Sequence, residues 1–222
     1  MKVHNRRRIS RQKYSILFNS FVADIPARKA SQIAGVNHKT ADRYFGLFRE
    51  AVSQNAQEER ENISLRNGVE IDESYFGPKR VRGKRGRGAG RKIIVFGLLK
   101  RNGKVYTNII KSAEKTAVMP IIRRVAQSGS DIYSDGWRSY DALAVYGCNH
   151  KKVKHIENEF AREDGTHING VESYWSWTKR RLAQFNGLTK QQFRKYMLES
   201  EWRFNHRETL PVDLKRLLKK LR

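Results

Sequence analysis

Residues 69–76 read VEIDESYF. Alternation of apolar and polar residues over that length marks a β-strand. Val69, Ile71 and Glu73 then share one face, and Glu70, Asp72 and Ser74 the other. An ionised carboxylate within a strand core is costly unless something cationic meets it. Asp72 is therefore the residue to explain, and the chain on either side must supply the reason.

Upstream, the pattern is helical. Tyr14, Leu17, Phe18, Phe21 and Val22 recur at three and four, and Pro26 suits the first turn of a new helix. The run ARKASQIAGVNHKTADRYFGLFRE predicts a short helix over 27–34, a turn at Gly35-Val36-Asn37, and a longer helix from His38. That is a helix-turn-helix outline, with Ala30 and Ile33 inward and Val36 at the crossing. Asn37, His38, Lys39, Thr40 and Arg43 open the second helix, where base and phosphate contacts are made.

Downstream, KIIVFGLLKR (92–101), Asn102-Gly103 and KVYTNII (104–110) form a hairpin. A helix over 114–127, kinked or broken at Pro120, leads to a strand at 130–136 that carries Asp135. A helix at 137–147, with Trp137 and Tyr140 inward, precedes a short strand at 151–156. Helices follow at 167–185 and 189–207, with Trp202 and Phe204 inward and Arg203 and Arg207 outward or on DNA. A basic amphipathic tail ends the chain. Three strands followed by alternation of helix and strand give an α/β protein, a mixed sheet with helices on its faces. The expected divisions are a basic arm (1–12), a helix-turn-helix domain (13–55), a linker (56–68), an α/β domain (69–207) and a basic C-terminal helix (208–222).

The charge points to the partner. The 222 residues hold 46 Lys and Arg against 22 Asp and Glu, a formal net charge of +24. So lopsided a balance favours a polyanion, nucleic acid first. No apolar run approaches the roughly 20 residues of a spanning helix, which argues against a membrane. The single cysteine, Cys148, allows neither an internal disulfide nor a Cys-based zinc site, and the expected location is the cytoplasm. Arg6, Arg7 and Arg8 cluster in the arm. Between 78 and 92 lie eight cations, four glycines and no acid, so Arg82, Lys84, Arg85 and Arg87 are expected to meet DNA phosphates beside Asp72.

In that setting the strand acids acquire a purpose. Asp72, Asp135 and Glu172 are 63 and 37 positions apart in the chain. Oxygen ligands suit Mg2+ or Mn2+, and two such ions can polarise a phosphodiester and steady its leaving oxygen. Asp72 would bridge the ions, and Asp135 and Glu172 would each hold one. Lys179, seven residues after Glu172 and so on the same helix face, would meet substrate phosphate.

The blocks IDESYFGPKRVRGKRGRGAGRK, VFGLLKRNGKVY, YSDGWRSYDAL, HINGVESYWSWTKRRLAQFNGL and ESEWRFNHR resemble the DDE transposases of bacterial insertion sequences. The resemblance is to the group whose larger members carry an N-terminal zinc ribbon, here absent. It implies a ribonuclease H-like core behind a small all-α helix-turn-helix domain, with Asp72, Asp135 and Glu172 as catalytic acids and Lys179 beside them. Asn169, one turn before Glu172, is the alternative third residue. The implied activity is metal-dependent cleavage and strand transfer at the inverted-repeat ends of an insertion sequence. The implied partners are double-stranded DNA, both element ends and target, and further copies of the chain, a homodimer or larger. The implied location is the bacterial cytoplasm, at the nucleoid. Arg180 and Arg181 would add DNA contacts. Two other readings stand beside it: a non-catalytic helix-turn-helix regulator and a structure-selective nuclease of the same fold.

Overall fold

The computed structural model describes residues 9–61, 63, 68–77, 92–101, 103–135, 147–153, 168–185 and 187–220. Arg6, Arg7, Arg8, Arg82, Lys84, Arg85, Arg87, the turn residue Asn102 and positions 137–146 of the expected 137–147 helix, with Trp137 and Tyr140, lie outside them.

Three helices begin the chain: α1 (Arg11–Val22), α2 (Ala27–Ala34) and α3 (His38–Glu61). Ser10 caps α1 by accepting from Lys13 N, and Asn37 Oδ1 accepts from Lys39 N at 2.9 Å to start α3. Between α2 and α3 the chain turns at Gly35, whose left-handed φ of 59° suits a residue without Cβ. Phe21, Phe45 and Phe48 meet edge to face or tilted at the centre of this unit. Ala30 is buried as expected, but Ile33 is 58 % exposed: on a helix this short, only the Ala30–Ala34 side reaches α1 and α3.

The sequence suggested a linker or a helix end from 56, and it is a helix end: α3 stays helical to Glu61. Phe45, Phe48, Val52 and Ala56 form one buried stripe along it, and packing holds the charged end in helix. Nor does the three-helix unit close its core alone. Leu198 and Trp202 of α6 (Lys190–Asn205) and Leu210, Leu214 and Leu217 of α7 (Leu210–Lys220) belong to the same apolar cluster. The basic tail helix thus contributes three buried leucines to the core that supports α1 and α3.

The sheet holds β1 (Val69–Phe76), β2 (Ile93–Lys100), β3 (Val105–Ile110), β4 (Asp131–Asp135) and β5 (Asn149–Val153), in the order β3-β2-β1-β4-β5. The β1–β2 and β2–β3 pairs are antiparallel, and β4 and β5 join parallel on the other side of β1. On one face α4 (Lys115–Val125) packs Val118, Met119 and Ile122 against Val69, Ile71 and Ile132. Pro120 is accommodated within that helix rather than breaking it. On the other face α5 (Asn169–Leu182) and α6 pack Val171, Tyr174, Trp175 and Phe193 against Phe76, Val95 and Leu99. The alternation read in VEIDESYF holds: Ile71 faces α4, and Glu70, Asp72 and Phe76 lie on the α5 side.

Side chains of α6 stand in for a sixth strand at the β3 edge. Asn205 exchanges two hydrogen bonds with the Val105 backbone, at 2.8 and 2.9 Å, and Glu201 accepts from Thr107 N at 2.7 Å. Glu201 also pairs with Arg60 at the end of α3. The Val105 and Thr107 edge amides, which could recruit a foreign strand, are thereby satisfied, and α3, α6 and the sheet are fastened at one point.

His206 fastens a second point. Its ring stacks on Trp202 with centroids 4.5 Å apart, and its nitrogens lie 2.8 Å from Asp213 and 2.9 Å from Glu59. Burial opposes protonation, but the two acids outweigh it and raise the pKa above 6.5. Because the folded value exceeds the unfolded one, the stabilisation is complete below the unfolded pKa and is lost as pH rises through the folded value. We therefore expect the stability difference between wild type and His206→Gln, from urea unfolding across a pH series, to be largest in acid and to shrink on the alkaline side. A difference that grew with pH would contradict the assignment.

Candidate active site

β1 and β4 run parallel with Val69 opposite Ile132 and Glu70 opposite Tyr133. Two residues further along each strand stand Asp72 and Asp135, in register just past the last paired residues, and both on the face covered by α5. Two acids that lie 63 positions apart in sequence become neighbours because a right-handed β–α–β crossover is the ordinary way to make adjacent parallel strands.

Their environment is unfavourable to both being charged. Burial, then the Asp135 carboxylate, with a smaller contribution from Glu172, push the Asp72 pKa up to about 7. Hydrogen bonding to the Glu73 backbone and to the Trp175 indole acts the other way. That indole contact is loose: Trp175 Nε1 is buried and finds no well-formed hydrogen bond. Asp135 Oδ1 is likewise buried without a hydrogen-bond partner among the described residues. A buried, unsatisfied carboxylate oxygen beside a second carboxyl group offers oxygen donors of the type that hard divalent cations take.

Glu172 sits in the first turn of α5, exposed, and near enough to Asp72 to act on its pKa. Asn169 opens the same turn, also at the surface. The described residues contain no group of three or more His, Cys, Asp or Glu already gathered as a metal cluster. The pair Asp72–Asp135 is thus in place, with Glu172 coupled to it electrostatically. Lys179 is exposed two turns along α5, its ammonium 5.9 Å from the centre of the Phe76 ring.

Two residues that fix this geometry escaped the sequence reading. Glu70, two before Asp72 on the same face, is 1 % exposed, and its Oε2 accepts from Val171 N at 2.9 Å. It thereby anchors the first turn of α5, the turn that presents Glu172. Arg101 pairs with Glu70 at 3.4 Å and lies over Tyr133, 3.5 Å from the ring centre. The second is Gly97, opposite Asp72 on β2. A Cβ there would lie 2.5 Å from Trp175 Cζ2, so only glycine lets the indole lie flat on the sheet beside Asp72. The signal for Gly97 was present, a glycine inside an apolar strand. Glu70 gave none that set it apart from its neighbours.

We expect Glu70→Ala to destabilise the fold by about 1–3 kcal/mol, the cost of an unsatisfied buried N–H. Glu70→Gln, which still offers an acceptor to Val171, should lose less. Equal denaturation midpoints for the two variants would deny Glu70 this anchoring role.

The residues assigned to DNA divide. Asn37, His38 and Lys39 are exposed, and Thr40 and Arg43 half-buried, at the start of α3. Arg180 is exposed and donates to Ser176. Arg181 is not available: it is 5 % exposed and pairs with Glu199 at 2.7 Å and Asp24 at 2.9 Å. Arg203, expected outward, is 4 % exposed and bound to Glu199 at 2.8 Å. Both point inward because the α1–α3 unit covers the α5–α6 surface, which neighbouring sequence positions do not reveal.

The strand order with its antiparallel arm and parallel extension is that of a ribonuclease H-like fold. A family model, the ISXO2-like transposase domain, matches residues 64–205, and the chain belongs to that family. It is 40 % identical over 105 residues to an uncharacterized transposase-like protein of Haemophilus influenzae, covering 47 % of this chain and 84 % of that one. Among solved structures, the catalytic domain of the Mos1 mariner transposase aligns with a TM-score of 0.40 and 14 % identity, over 78 % of this chain and 91 % of that one. The Mos1 strand transfer complex aligns at 0.41 and 11 %, over 99 % and 81 %. A simian T-cell lymphotropic virus intasome aligns at 0.41 and 12 %, over 65 % of this chain and half of that one. No helix among the described residues is long and apolar enough to cross a membrane.

Proposed function

We propose that this chain cuts and joins DNA at the ends of an insertion sequence, with a divalent cation held by Asp72, Asp135 and Glu172. The observation that carries the reading is the register-matched pair Asp72–Asp135, two half-buried acids set so that burial, and then repulsion from Asp135, raises the Asp72 pKa. A fold retains such a cost for function. Mg2+ or Mn2+, when bound, would supply Lewis-acid polarisation of a phosphodiester.

The protein's own groups do the rest. Asp72 and Asp135, fixed on adjacent strands, define one rigid side of the site, and Glu172 reaches it from α5. Lys179, on the Glu172 side of α5, neutralises a phosphate of the same strand. Water attacks a terminal phosphodiester and releases a 3′ hydroxyl, which then attacks target DNA with loss of the target's own 3′ oxygen. No protein nucleophile is needed. The start of α3, with Asn37, His38, Lys39, Thr40 and Arg43, grips the element's ends, and two ends require at least two copies of the chain. A regulator without catalysis would share the α3 surface but gives no reason for the acid pair.

The test is Mg2+-dependent nicking and joining of a duplex that carries the element's terminal repeats. Product is expected with wild type plus metal and none without metal. Activity that survived Asp135→Asn would refute the assignment.

A further inference from the structure

Beyond the acids, β1 runs on to an open cleft of which the proposed cleavage chemistry uses Lys179 alone. Phe76 follows Asp72 by four residues on the same strand face, roughly 13 Å at the usual rise per residue. The cleft has a volume of about 860 Å³. Its walls include Phe76, Phe185 and Phe193, and its cations are Lys92, Lys179 and Lys190; among the described residues no acid lines it.

The walls are held rigidly. Phe76 and Phe193 are buried with centroids 5.4 Å apart, and Phe76 also packs on Trp175 at 6.0 Å. Phe185, half-buried, packs edge-on to Tyr196 at 4.7 Å and under Arg181 at 5.5 Å.

A paired duplex offers such walls little, because its base faces are already stacked and its exterior is sugar and phosphate. An unpaired base offers a π-face, and aromatic side chains with cations around them are how unpaired strands are held. The distance also fits: 13 Å is about four stacked nucleotide steps, or fewer in a stretched strand.

We propose that this cleft receives an unpaired nucleotide of the strand being cut, so the substrate is a DNA end whose terminal pairs have opened. The inference rests on the function proposed above and adds its substrate form. Lys179 serves the cleft and the scissile phosphate together, Lys190 the cleft alone.

The test uses the full chain and a duplex bearing the element's end, with 2-aminopurine two to four nucleotides from the scissile bond. Binding should raise its fluorescence as the base leaves its neighbours. Phe185→Ala should cut a fully paired end at least 10-fold more slowly, with most of the rate restored on an end already mismatched at those positions. Lys190→Ala, at an exposed site where folding is not at stake, should weaken binding of a single-stranded overhang several-fold. An unchanged 2-aminopurine signal, or variants that match wild type on every substrate while wild type cuts normally, would overturn the cleft assignment alone. If wild type cut neither paired nor mismatched ends with metal present, the proposed function itself would fall.

Discussion

Asp72→Asn should abolish DNA cleavage, by at least a thousandfold, and make the metal-free protein more stable at neutral pH. The second effect follows from the sign of the pKa shift. The unfolded chain ionises Asp72 near 3.8, and the fold delays ionisation to about 7. Below the lower value the group is neutral in both states and costs nothing. Between the two values the folded chain keeps a proton that the unfolded chain has lost, so stability falls as pH rises. Above about 7 the penalty is constant, on the order of 4 kcal/mol for a shift of this size. Asparagine cannot ionise, so the variant should match wild type near pH 4 and exceed it at pH 8 in denaturant unfolding without metal. Divalent metal should narrow the gap by stabilising wild type only. Lower stability of the variant at pH 8 would mean that the acid is held by something other than a cation.

Glu199→Ala should have the largest effect on folding. Glu199 is fully buried and receives Arg49 at 2.7 Å, Arg181 at 2.7 Å and Arg203 at 2.8 Å. Burial alone would raise its pKa, but the three guanidinium groups overcome that and draw it down to about 2. Asp24, at the end of α1, adds a second acid to Arg181 at 2.9 Å. Arg49 lies on α3, Arg181 on α5, and Glu199 and Arg203 on α6, so this one carboxylate joins α3 to the helix that carries Glu172 and Lys179. Its removal leaves buried cations uncompensated, which costs about 3–5 kcal/mol and lowers the melting midpoint by roughly 10 °C in a protein of this size. Glu199→Gln should fall between, keeping acceptors but not charge. A midpoint within about 2 °C of wild type for Glu199→Ala would show the network to be dispensable.

How much of this could be read from the chain alone depended on the range of the interaction. The alternation in VEIDESYF, the apolar β2 and β3 runs and the periodic aromatics of α1 and α3 are local signals, and the structure carries them through. Asp72 and Asp135 were legible as acids in strands, and the parallel register of β1 and β4 brings them side by side. The Glu199 network was not legible: Arg49 and Glu199 are 150 positions apart, and a buried arginine on α5 has the same local sequence as one that faces DNA. Arg181 and Arg203 were misread for that reason. The charged end of α3 resembled a linker because its partners, Glu201 and Thr107, come from α6 and β3. Glu70 was overshadowed by Asp72, since two acids on one strand face look alike until one is seen holding a helix.

Calorimetric titration of the metal-free protein with Mn2+ near pH 6, where Asp72 still holds its proton, wild type against Asp135→Asn, addresses the central claim most directly. Wild type should bind with release of up to one proton, read from the dependence of the heat on the buffer, because Asp72 must give up the proton that burial and Asp135 make it keep. Asp135→Asn should lose most of the affinity while remaining folded. Equal Mn2+ affinity and equal proton release in the two proteins would contradict the claim that Asp72 and Asp135 stand together to hold a cation.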